Sequence, residues 1–332
     1  MKPVSSHPRA TIVVPAFNVA ATLRETLAAL LAQTFCDFEI IVVDDGSSDA
    51  TAAIAASYQS DPRVRLIQQR NRGLAGARNT GIHAARAPLI GFCDADDIWE
   101  RWKLGAHMAH LDASPEVGVS YAGSALIDDA GALLGQTQAP RLSGIDAAHI
   151  LKRNPIGNGS AAVIRRAVFD AIAYRPAYEK SRDWYFDETF RQSEDIECWM
   201  RIALTTDWVF AGVPGLLTRY RISAGGLSAA TDRQLASWEN MVAKLTPLDP
   251  ALFAQVAPVA RAYQLRYLAR RAISDLDAGR ARALVLQSLR QSWRPLFEEP
   301  RKTLTTLAAA AVLCSAGPAA ISALMTAKES RS

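Results

Sequence analysis

The chain has 332 residues, 49% of them hydrophobic and 21% charged, a composition ordinary for a globular protein with ample material for a core. Its formal net charge is only +4, from 37 basic and 33 acidic residues, and no basic run alternates with aromatic residues. The composition therefore gives no support to nucleic-acid binding, and we expect no nucleic-acid partner.

The four cysteines, Cys36, Cys93, Cys198 and Cys314, have no C-x-x-C spacing, and three of them lie in apolar stretches. We expect reduced, buried thiols in a cytosolic protein. Residues 1–10 are polar and contain proline, and no apolar signal-peptide region follows them. We therefore expect the catalytic part of the chain to stay in the cytoplasm.

Buried strands and amphipathic helices alternate through the first hundred residues. The first predicted strand is 11–15, ended by Pro15. Further strands are predicted at 38–43, 64–68 and 89–93, and helices at 20–33, at 50–59 and from near Ala75 onwards. This alternation predicts an α/β fold, a mostly parallel sheet with helices on both faces.

The most informative stretch is 89–99, where five apolar residues lead into Asp94, Asp96 and Asp97. Carboxylates packed this closely repel one another unless they lie in water or around a cation. Ligands of open α/β sheets bind beyond the carboxyl ends of strands, and carboxylate oxygens suit Mg²⁺ or Mn²⁺ shared with substrate phosphates. We therefore predict a metal–diphosphate site; the alternative is a solvated acidic turn that caps a helix.

A second carboxylate group, Asp44 and Asp45, ends the second predicted strand. If the two strands lie near each other, both groups line one crevice. Three arginines in the following loop are candidates for phosphate or base contacts, or for solvated surface charge: Arg70, Arg72 and Arg78.

Two nucleotide-binding motifs are absent from the sequence. Residues 15–18 are Pro-Ala-Phe-Asn where G-x-G-x-x-G would be needed, and no G-x-x-x-x-G-K-[ST] occurs. These absences exclude a dinucleotide-dependent dehydrogenase and P-loop phosphoryl chemistry. A helix is predicted over 99–111, and His107 and His110 lie three apart on it without a third ligand nearby in sequence. This favours packing or surface roles over metal binding.

A helix is predicted around residue 196, because Ile196, Trp199 and Met200 recur at helical spacing. Glu194 and Asp195 occupy its first turn, where the helix dipole keeps a carboxylate ionised. This position suits a general base aimed at a substrate hydroxyl, and it equally suits a plain helix cap.

The remaining predicted elements begin with a strand at 117–127 and a hairpin turn at 128–131, followed by an irregular segment at 135–160 whose loop at 154–159 could contact a ligand. Strands follow at 161–164, 209–210 and 216–222, and a glycine-rich loop at 223–228. Helical periodicity begins beyond residue 232, which places a boundary near 230. Residues 303–327 carry no charge and are long enough to span a bilayer. Their many Ala, Thr and Ser residues and Gly317-Pro318 favour a packed or interfacial helical hairpin over a spanning helix.

Six blocks occur in order: Val-Val-Pro-Ala-Phe-Asn (13–18), Gln-Thr-Phe (33–35), Val-Val-Asp-Asp-Gly-Ser-Ser-Asp (42–49), Gly-Leu-Ala-Gly-Ala-Arg-Asn-Thr-Gly (73–81), Asp-Ala-Asp-Asp (94–97) and Glu-Asp (194–195). Together they closely resemble family 2 glycosyltransferases with the GT-A fold, over about residues 10–225. We accordingly expect a GT-A catalytic domain over 10–228 and an α-helical region over 229–332, with a membrane-associated segment at 303–327.

The resemblance implies transfer of a sugar from a nucleotide-diphospho-sugar (a UDP-, GDP- or dTDP-sugar) to an acceptor hydroxyl, with inversion at the anomeric carbon and Mg²⁺ or Mn²⁺ as cofactor. Carried over by position, it implies the following roles: Pro15, Phe17, Asn18, Asp45 and Arg78 at the nucleotide, Asp94 at the ribose and beside the metal, Asp96 on the metal, Glu194 in the donor site and Asp195 as general base.

Two departures from the family pattern bear on the function. A Gln-x-x-Arg-Trp block and multiple membrane spans, typical of processive members, are absent, which argues for one sugar per acceptor. Residues 220–223 are Tyr-Arg-Ile-Ser, without the histidine that many relatives carry, so the late diphosphate contact falls to Arg219, Arg221 or the loop at 223–228.

We expect the acceptor to be a glycan or glycolipid of the bacterial surface, handled in the cytoplasm at the inner face of the membrane with peripheral contact. Two alternatives stay open. One is a catalytically silent nucleotide-binding scaffold at the membrane surface. The other is a sugar-phosphate nucleotidyltransferase, which is disfavoured because it needs a glycine-rich loop after the first strand.

Overall fold

A computed structural model describes residues 7–222 and 231–329, with side chains described over 233–321 in the second range. The predicted glycine-rich loop at 223–228 lies outside the described residues. The chain divides into two compact units, one within Met1–Ala147 and Pro155–Gly226 and the other within Ala148–Asn154 and Leu227–Ser332.

The described part of the first unit contains nine strands. They are β1 (Ala10–Ala16), β2 (Phe38–Asp44), β3 (Val64–Gln68), β4 (Leu89–Phe92), β5 (Ile98–Trp99), β6 (Val117–Ile127), β7 (Leu133–Gln138), β8 (Ala162–Arg165) and β9 (Val209–Arg221). Every residue of β1 and β2 is buried, as expected for strands covered on both faces.

The helices of the first unit connect these strands, and the second unit is helical. The helices are α1 (Leu23–Leu31), α2 (Thr51–Ser57), α3 (Gly73–Ala84), α4 (Lys103–Ala113), α5 (Ala147–Lys152), α6 (Arg166–Ile172), α7 (Glu194–Thr205), α8 (Thr231–Leu245), α9 (Pro250–Ser274), α10 (Ala278–Gln291), α11 (Arg294–Glu298) and α12 (Pro300–Glu329).

The strands form one sheet in the order β3-β2-β1-β4-β8-β6-β9-β5, with β7 paired on β6. β1 to β4 run parallel, because the helices α1, α2 and α3 follow β1, β2 and β3 and each return the chain to the same end of the sheet. β8 runs antiparallel to β4 and β6. The predicted α/β fold is confirmed, and the carboxyl ends of β1, β2 and β4 meet at one edge.

Pro15 lies inside β1, opposite Val43 of β2, and does not end the strand as predicted. The Val13 carbonyl accepts from the Cys93 N–H beside β4. The backbone N–H and C=O groups of alternate residues in a strand point toward opposite neighbouring strands. The backbone of Pro15, two residues after Val13, therefore also points toward β4. Its pairing with β4 has already ended at Val13, so the missing N–H of proline costs no ladder hydrogen bond.

Several predicted boundaries in the second half of this unit were wrong. Ile98–Trp99 form a short strand paired with β9, and α4 begins only at Lys103, because a two-residue strand has no periodic signal. Val209–Arg221 is one strand rather than two. The segment 135–160, predicted to be irregular, includes most of β7 and the helix α5.

The second unit has its own core, in which α9, α10 and α12 pack together through Leu265, Leu268, Leu284 and Leu313. The α-helical character predicted for this region is confirmed. The helix α12 is broken at Gly317, whose φ of 80° and ψ of 179° are not helical. Cys36 and Cys314 are exposed, contrary to the expectation of buried thiols, whereas Cys93 and Cys198 are buried.

Candidate functional site

The three carboxylates that follow β4 do not occupy equivalent positions. The turn is closed by the Asp97 N–H, which donates to the Asp94 carbonyl at 3.0 Å. Asp94 and Asp96 are half-buried, whereas Asp97 is fully buried. The Asp97 carboxylate accepts from the Ser160 hydroxyl at 2.5 Å and from the Arg221 N–H at 2.9 Å. Burial, with Asp94 and Asp96 adding to it, raises the pKa of Asp97 well above its ordinary range. Asp97 is therefore a structural residue beneath the turn.

Asp96 carries the least compensated carboxylate of this turn. Within the described residues, no side chain or N–H of another residue hydrogen-bonds to it; Arg221 Nε donates to its backbone carbonyl at 2.8 Å instead. Burial and the neighbouring Asp94 raise the pKa of Asp96 to about 6. A carboxylate in this state would gain from a nearby cation.

The donor set suits a metal that takes its remaining ligands from elsewhere. Over the described residues, no group of three or more His, Cys, Asp or Glu side chains is arranged to hold a metal ion. Two adjacent carboxylates are the donor set typical of Mg²⁺ or Mn²⁺ bound together with substrate phosphates and water. Asp94 and Asp96 fit that type of site and do not form a closed metal cage.

The guanidinium of Arg78, on α3, joins the turn after β4 to the first turn of α7. It donates to Asp94 Oδ1 at 3.0 Å and to Glu194 Oε1 at 2.8 Å. Its planar group also lies 5.5 Å from the ring centroid of Phe186 and 5.9 Å from that of Phe92. The arginine is almost fully buried. The two acidic groups predicted from separate stretches of sequence are thus brought together around one cation.

Gly159 lies directly against this ion pair. A Cβ atom at position 159 would lie 2.2 Å from Arg78 Nη2 and 2.9 Å from Asp94 Oδ2, closer than real contacts allow. Only glycine therefore leaves room for the Arg78–Asp94 contact. The predicted loop at 154–159 was the sequence feature that indicated this part of the site, but its pattern did not single out Gly159.

Glu194 and Asp195 open α7, as predicted. Ser193, just before the helix, has a left-handed backbone with φ of 62°. Glu194 is buried, and burial raises its pKa to about 7, with Arg78 opposing the rise and Asp195 adding to it. Asp195 is half-buried. Further along the helix, Arg201 pairs with Glu197 at 3.0 Å within α7. The same guanidinium donates to the carbonyls of Ile172, at 2.6 Å, and Tyr185, and these bonds fix the helix against the rest of the unit.

At the ends of β1 and β2, the predicted nucleotide residues have different environments. Asp45 is buried, and its carboxylate accepts from Gln69 Nε2 at 2.7 Å and from the N–H groups of Arg72 and Gly73 at 2.8 Å, which caps α3. Burial raises the pKa of Asp45, and these hydrogen bonds oppose the rise. Asn18 has φ of 53°, and its side-chain oxygen accepts from the Ser48 N–H at 2.8 Å.

Pro15 is buried, whereas 49% of the Phe17 surface is exposed beside these turns. Of the predicted nucleotide contacts at this edge, Phe17 is therefore the one that presents a large apolar surface to solvent.

Several charged candidates from the sequence are engaged elsewhere. Arg221 is buried and donates to Glu25 at 2.6 Å, and Arg219 pairs with Glu100 at 2.7 Å. Arg72 forms ion pairs with Glu179 and Glu188. These arginines hold protein segments together in the structure.

The histidine pair has a packing role, as favoured from the sequence. His107 Nδ1 and His110 Nδ1 both lie within hydrogen-bonding distance of Ser120 Oγ, at 2.7 and 2.8 Å. The two imidazoles are therefore linked through a serine hydroxyl.

Residues 11–173 match the family model described as Glycosyl transferase family 2. A segment of 91 residues is 50% identical to the uncharacterized glycosyltransferase EpsJ of Bacillus subtilis, covering 27% of this chain and 26% of that protein. The UDP-Glc:alpha-D-GlcNAc-diphosphoundecaprenol beta-1,3-glucosyltransferase WfgD of Escherichia coli is 26% identical over 226 residues, covering 68% of this chain and 81% of that protein. The matches to the first four curated relatives span only 26–35% of those proteins' lengths.

Two solved structures share the fold. Residues 1–349 of S. aureus TarS in complex with UDP-GlcNAc superpose with a TM-score of 0.59 at 17% identity, over 94% of this chain and 83% of that chain. The mannosyltransferase PcManGT from Pyrobaculum calidifontis in complex with GDP-Man and Mn²⁺ gives a TM-score of 0.54 at 20% identity, over 93% and 88% of the two chains.

Proposed function

The chain belongs to glycosyl transferase family 2, and on this premise we propose that it is an inverting, metal-dependent, non-processive glycosyltransferase. It moves a sugar from a nucleotide-diphospho-sugar to an acceptor hydroxyl. The observation that carries this proposal is that Arg78, at the carboxyl edge of the sheet, holds both Asp94, the neighbour of Asp96, and Glu194, the neighbour of Asp195. Donor-binding carboxylates and a base candidate on α7 are thereby linked through a single residue.

In this proposal Asp96, with Asp94 beside it, holds Mg²⁺ or Mn²⁺ and the donor diphosphate. The ion, when bound, neutralises the charge that develops on the departing diphosphate. The half-buried carboxylate of Asp96, whose pKa is raised by burial and by Asp94, supports this role. So does the Mn²⁺ in the PcManGT structure, a protein with the same fold.

Asp195 is the proposed general base, which takes the proton from the acceptor hydroxyl as that oxygen attacks the anomeric carbon. Direct attack, with no covalent carboxylate intermediate, inverts the anomeric configuration. Glu194, held by Arg78, fixes the first turn of α7 so that its neighbour keeps one orientation. Fixed geometry matters here because a general base must lie within hydrogen-bonding distance of its proton.

The nucleotide is proposed to bind over Phe17, with the Asn18 turn and Asp45 shaping this part of the site around Pro15. Asp45 contributes by fixing the start of α3. Its carboxylate accepts from the N–H groups of Arg72 and Gly73 at the start of the helix, and from Gln69 in the loop before it. Arg78 supports the donor site from behind Asp94, which is proposed to hold the ribose. The UDP-GlcNAc and GDP-Man complexes of proteins with the same fold support a nucleotide-sugar donor.

The acceptor is proposed to be a glycan or glycolipid of the bacterial surface, modified at the inner face of the cytoplasmic membrane. Relatives named for succinoglycan biosynthesis and for a diphosphoundecaprenol acceptor support this class. Among the described residues, one helix, Pro300–Ile321, is long and apolar enough to cross a membrane, and 22% of its most apolar window is buried. Because one face of this helix packs into the core of the second unit through Leu313 and Ile321, we propose that it lies at the membrane surface and does not span it.

A thermal-shift screen of UDP, GDP, dTDP and CMP, each with and without Mn²⁺, tests the donor site. We expect one nucleoside diphosphate to raise the melting temperature only when Mn²⁺ is present, because a ligand that binds the folded chain stabilises it. An Asp195→Asn variant should show the same shift and lose sugar transfer by a factor of about 10² or more. No shift with any nucleotide would contradict the proposal, and binding without turnover of any donor would favour the scaffold alternative.

A further inference from the structure

We propose that Ser160 is a positioning residue of the donor site: its hydroxyl holds both ends of the turn 94–97 and so determines where the carboxylates of Asp94 and Asp96 lie. This inference rests on the proposed function, since it assigns a role within the same site. Ser160 lies one residue beyond the predicted loop at 154–159, and it is far in sequence from both acidic blocks, 94–97 and 194–195.

The hydroxyl of Ser160 makes two hydrogen bonds to the turn. It donates to Asp97 Oδ2 at 2.5 Å and accepts from the Asp94 N–H at 2.8 Å. A serine hydroxyl has one donor and two acceptor positions, so it can make both bonds at once. Asp96 lies between the two points that are held, and the backbone bond from Asp97 N–H to the Asp94 carbonyl closes the same turn.

Ser160 is itself held from the opposite side. Its carbonyl accepts from Lys103 Nζ at 2.9 Å and from Trp99 Nε1 at 3.0 Å. The same ammonium donates to the Ala161 carbonyl at 3.1 Å and to Thr218 Oγ1 at 2.8 Å. Lys103 is fully buried, and burial lowers its pKa to about 7.

In these bonds the buried Lys103 donates only to neutral oxygens, and burying an ammonium in this way lowers the free energy of unfolding. Apolar residues of similar size would fill the same space at lower cost, so stability alone does not account for it. The contacts of Lys103 instead join α4, the Ser160 segment and β9 around the base of the acidic turn. This is what is expected of a support that keeps two mutually repelling carboxylates in one arrangement.

Replacement of Ser160 leaves both candidate metal-binding carboxylates unchanged. In a Ser160→Ala chain the Asp94 N–H and the Asp97 carboxylate each lose a partner, and the turn relaxes to satisfy them. Any loss of metal affinity must therefore act through the position of Asp94 and Asp96. Ser120 provides a matched control, because it is an equally buried serine whose hydroxyl contacts His107 and His110 instead.

The test measures Mn²⁺ binding by electron paramagnetic resonance, with UDP and separately with GDP present, for the full chain and its variants. We expect Ser160→Ala to weaken Mn²⁺ binding about tenfold. Ser120→Ala is expected to bind Mn²⁺ like the unmodified chain, and Asp96→Asn to lose binding altogether. Ser160→Cys keeps the approximate size of the side chain and weakens both hydrogen bonds, so it should give a smaller loss with the fold intact.

The outcomes separate this inference from the function on which it rests. If Asp96→Asn abolishes Mn²⁺ binding and folded Ser160→Ala does not weaken it, Ser160 is not a positioning residue. If Ser160→Ala fails to fold, Ser160→Cys decides, and unchanged affinity in that variant overturns the inference. If the unmodified chain binds no Mn²⁺ with either nucleotide, or Asp96→Asn binds normally, the proposed metal site is wrong and the role of Ser160 falls with it.

Discussion

Arg78 and Glu194 form a buried ion pair at 2.8 Å, although 116 residues separate them in the chain. The same guanidinium holds Asp94 at 3.0 Å. The arginine therefore neutralises charge on both sides of the candidate site, and it fixes α7 relative to the turn after β4.

Arg78→Met should lower the free energy of unfolding by about 3–5 kcal/mol, because it leaves Asp94 and Glu194 without their buried cation. Urea unfolding followed by circular dichroism measures this change. Arg9→Met is the matched control: Arg9 pairs with Asp112 at a similar distance, 2.7 Å, but on the surface, where such pairs contribute about 0–1 kcal/mol. Equal losses in the two variants would contradict the importance of the buried pair.

Gly159→Ala should disturb the donor site more than it disturbs the fold. The added methyl group would displace the Arg78 guanidinium from Asp94, so we expect the nucleotide-dependent thermal shift to fall by at least half. Gly279→Ala is the control, because a Cβ there meets only Asp277 Oδ1 at 3.7 Å within a helix. A full thermal shift in Gly159→Ala would show that the Arg78–Asp94 contact is dispensable for binding.

Glu194→Gln should alter how stability depends on pH. Burial raises the pKa of Glu194 from 4.5 to about 7, so over that interval the folded chain retains a proton that the unfolded chain has released. This group therefore makes the free energy of unfolding fall as the pH rises from about 4.5 through 7. Glutamine resembles the neutral acid, so the stability of the variant relative to the unmodified chain should rise between about pH 5 and about pH 8. Urea unfolding at several pH values measures the difference, and a constant difference would contradict the assignment.

Trp293 and Phe297 are two exposed aromatic residues just before α12, with 60% and 77% of their surfaces accessible. Of the two exposed arginines nearby, Arg294 lies between them in the sequence and Arg301 follows them. We expect a Trp293→Ser, Phe297→Ser double variant to bind vesicles of anionic lipid at least about tenfold more weakly, because aromatic and basic residues together favour the membrane interface. Co-sedimentation with vesicles measures this, and unchanged binding would locate the membrane contact elsewhere.

Leu248→Ser is the control for that experiment, since Leu248 is a similarly exposed apolar residue of the second unit. Deletion of residues 300–332 is a less specific test. It would remove Ala310, Leu313 and Ile321 from the core of this unit and unfold it together with any membrane contact.

Much of the fold was predictable because its elements have local signals. β3 and β6 have the predicted bounds, since buried strands flanked by turn residues show in the hydrophobic pattern. The short strand β5 and the antiparallel insertion of β8 beside β4 were not predictable. Such pairings depend on contacts between distant segments, and a two-residue strand has no period.

The sequence by itself determined the α/β alternation, the acidic turns at the ends of β2 and β4, and the pair of carboxylates that opens α7. These features follow from burial patterns and residue chemistry within short windows. Only the tertiary structure decided that Asp97 is structural, that Arg78 joins Asp94 to Glu194, and that Ser160 and Lys103 support the turn. The reason is physical: whether a polar group is satisfied or left uncompensated depends on which distant segment packs against it, and strand order and helix packing settle that only when the whole chain has folded.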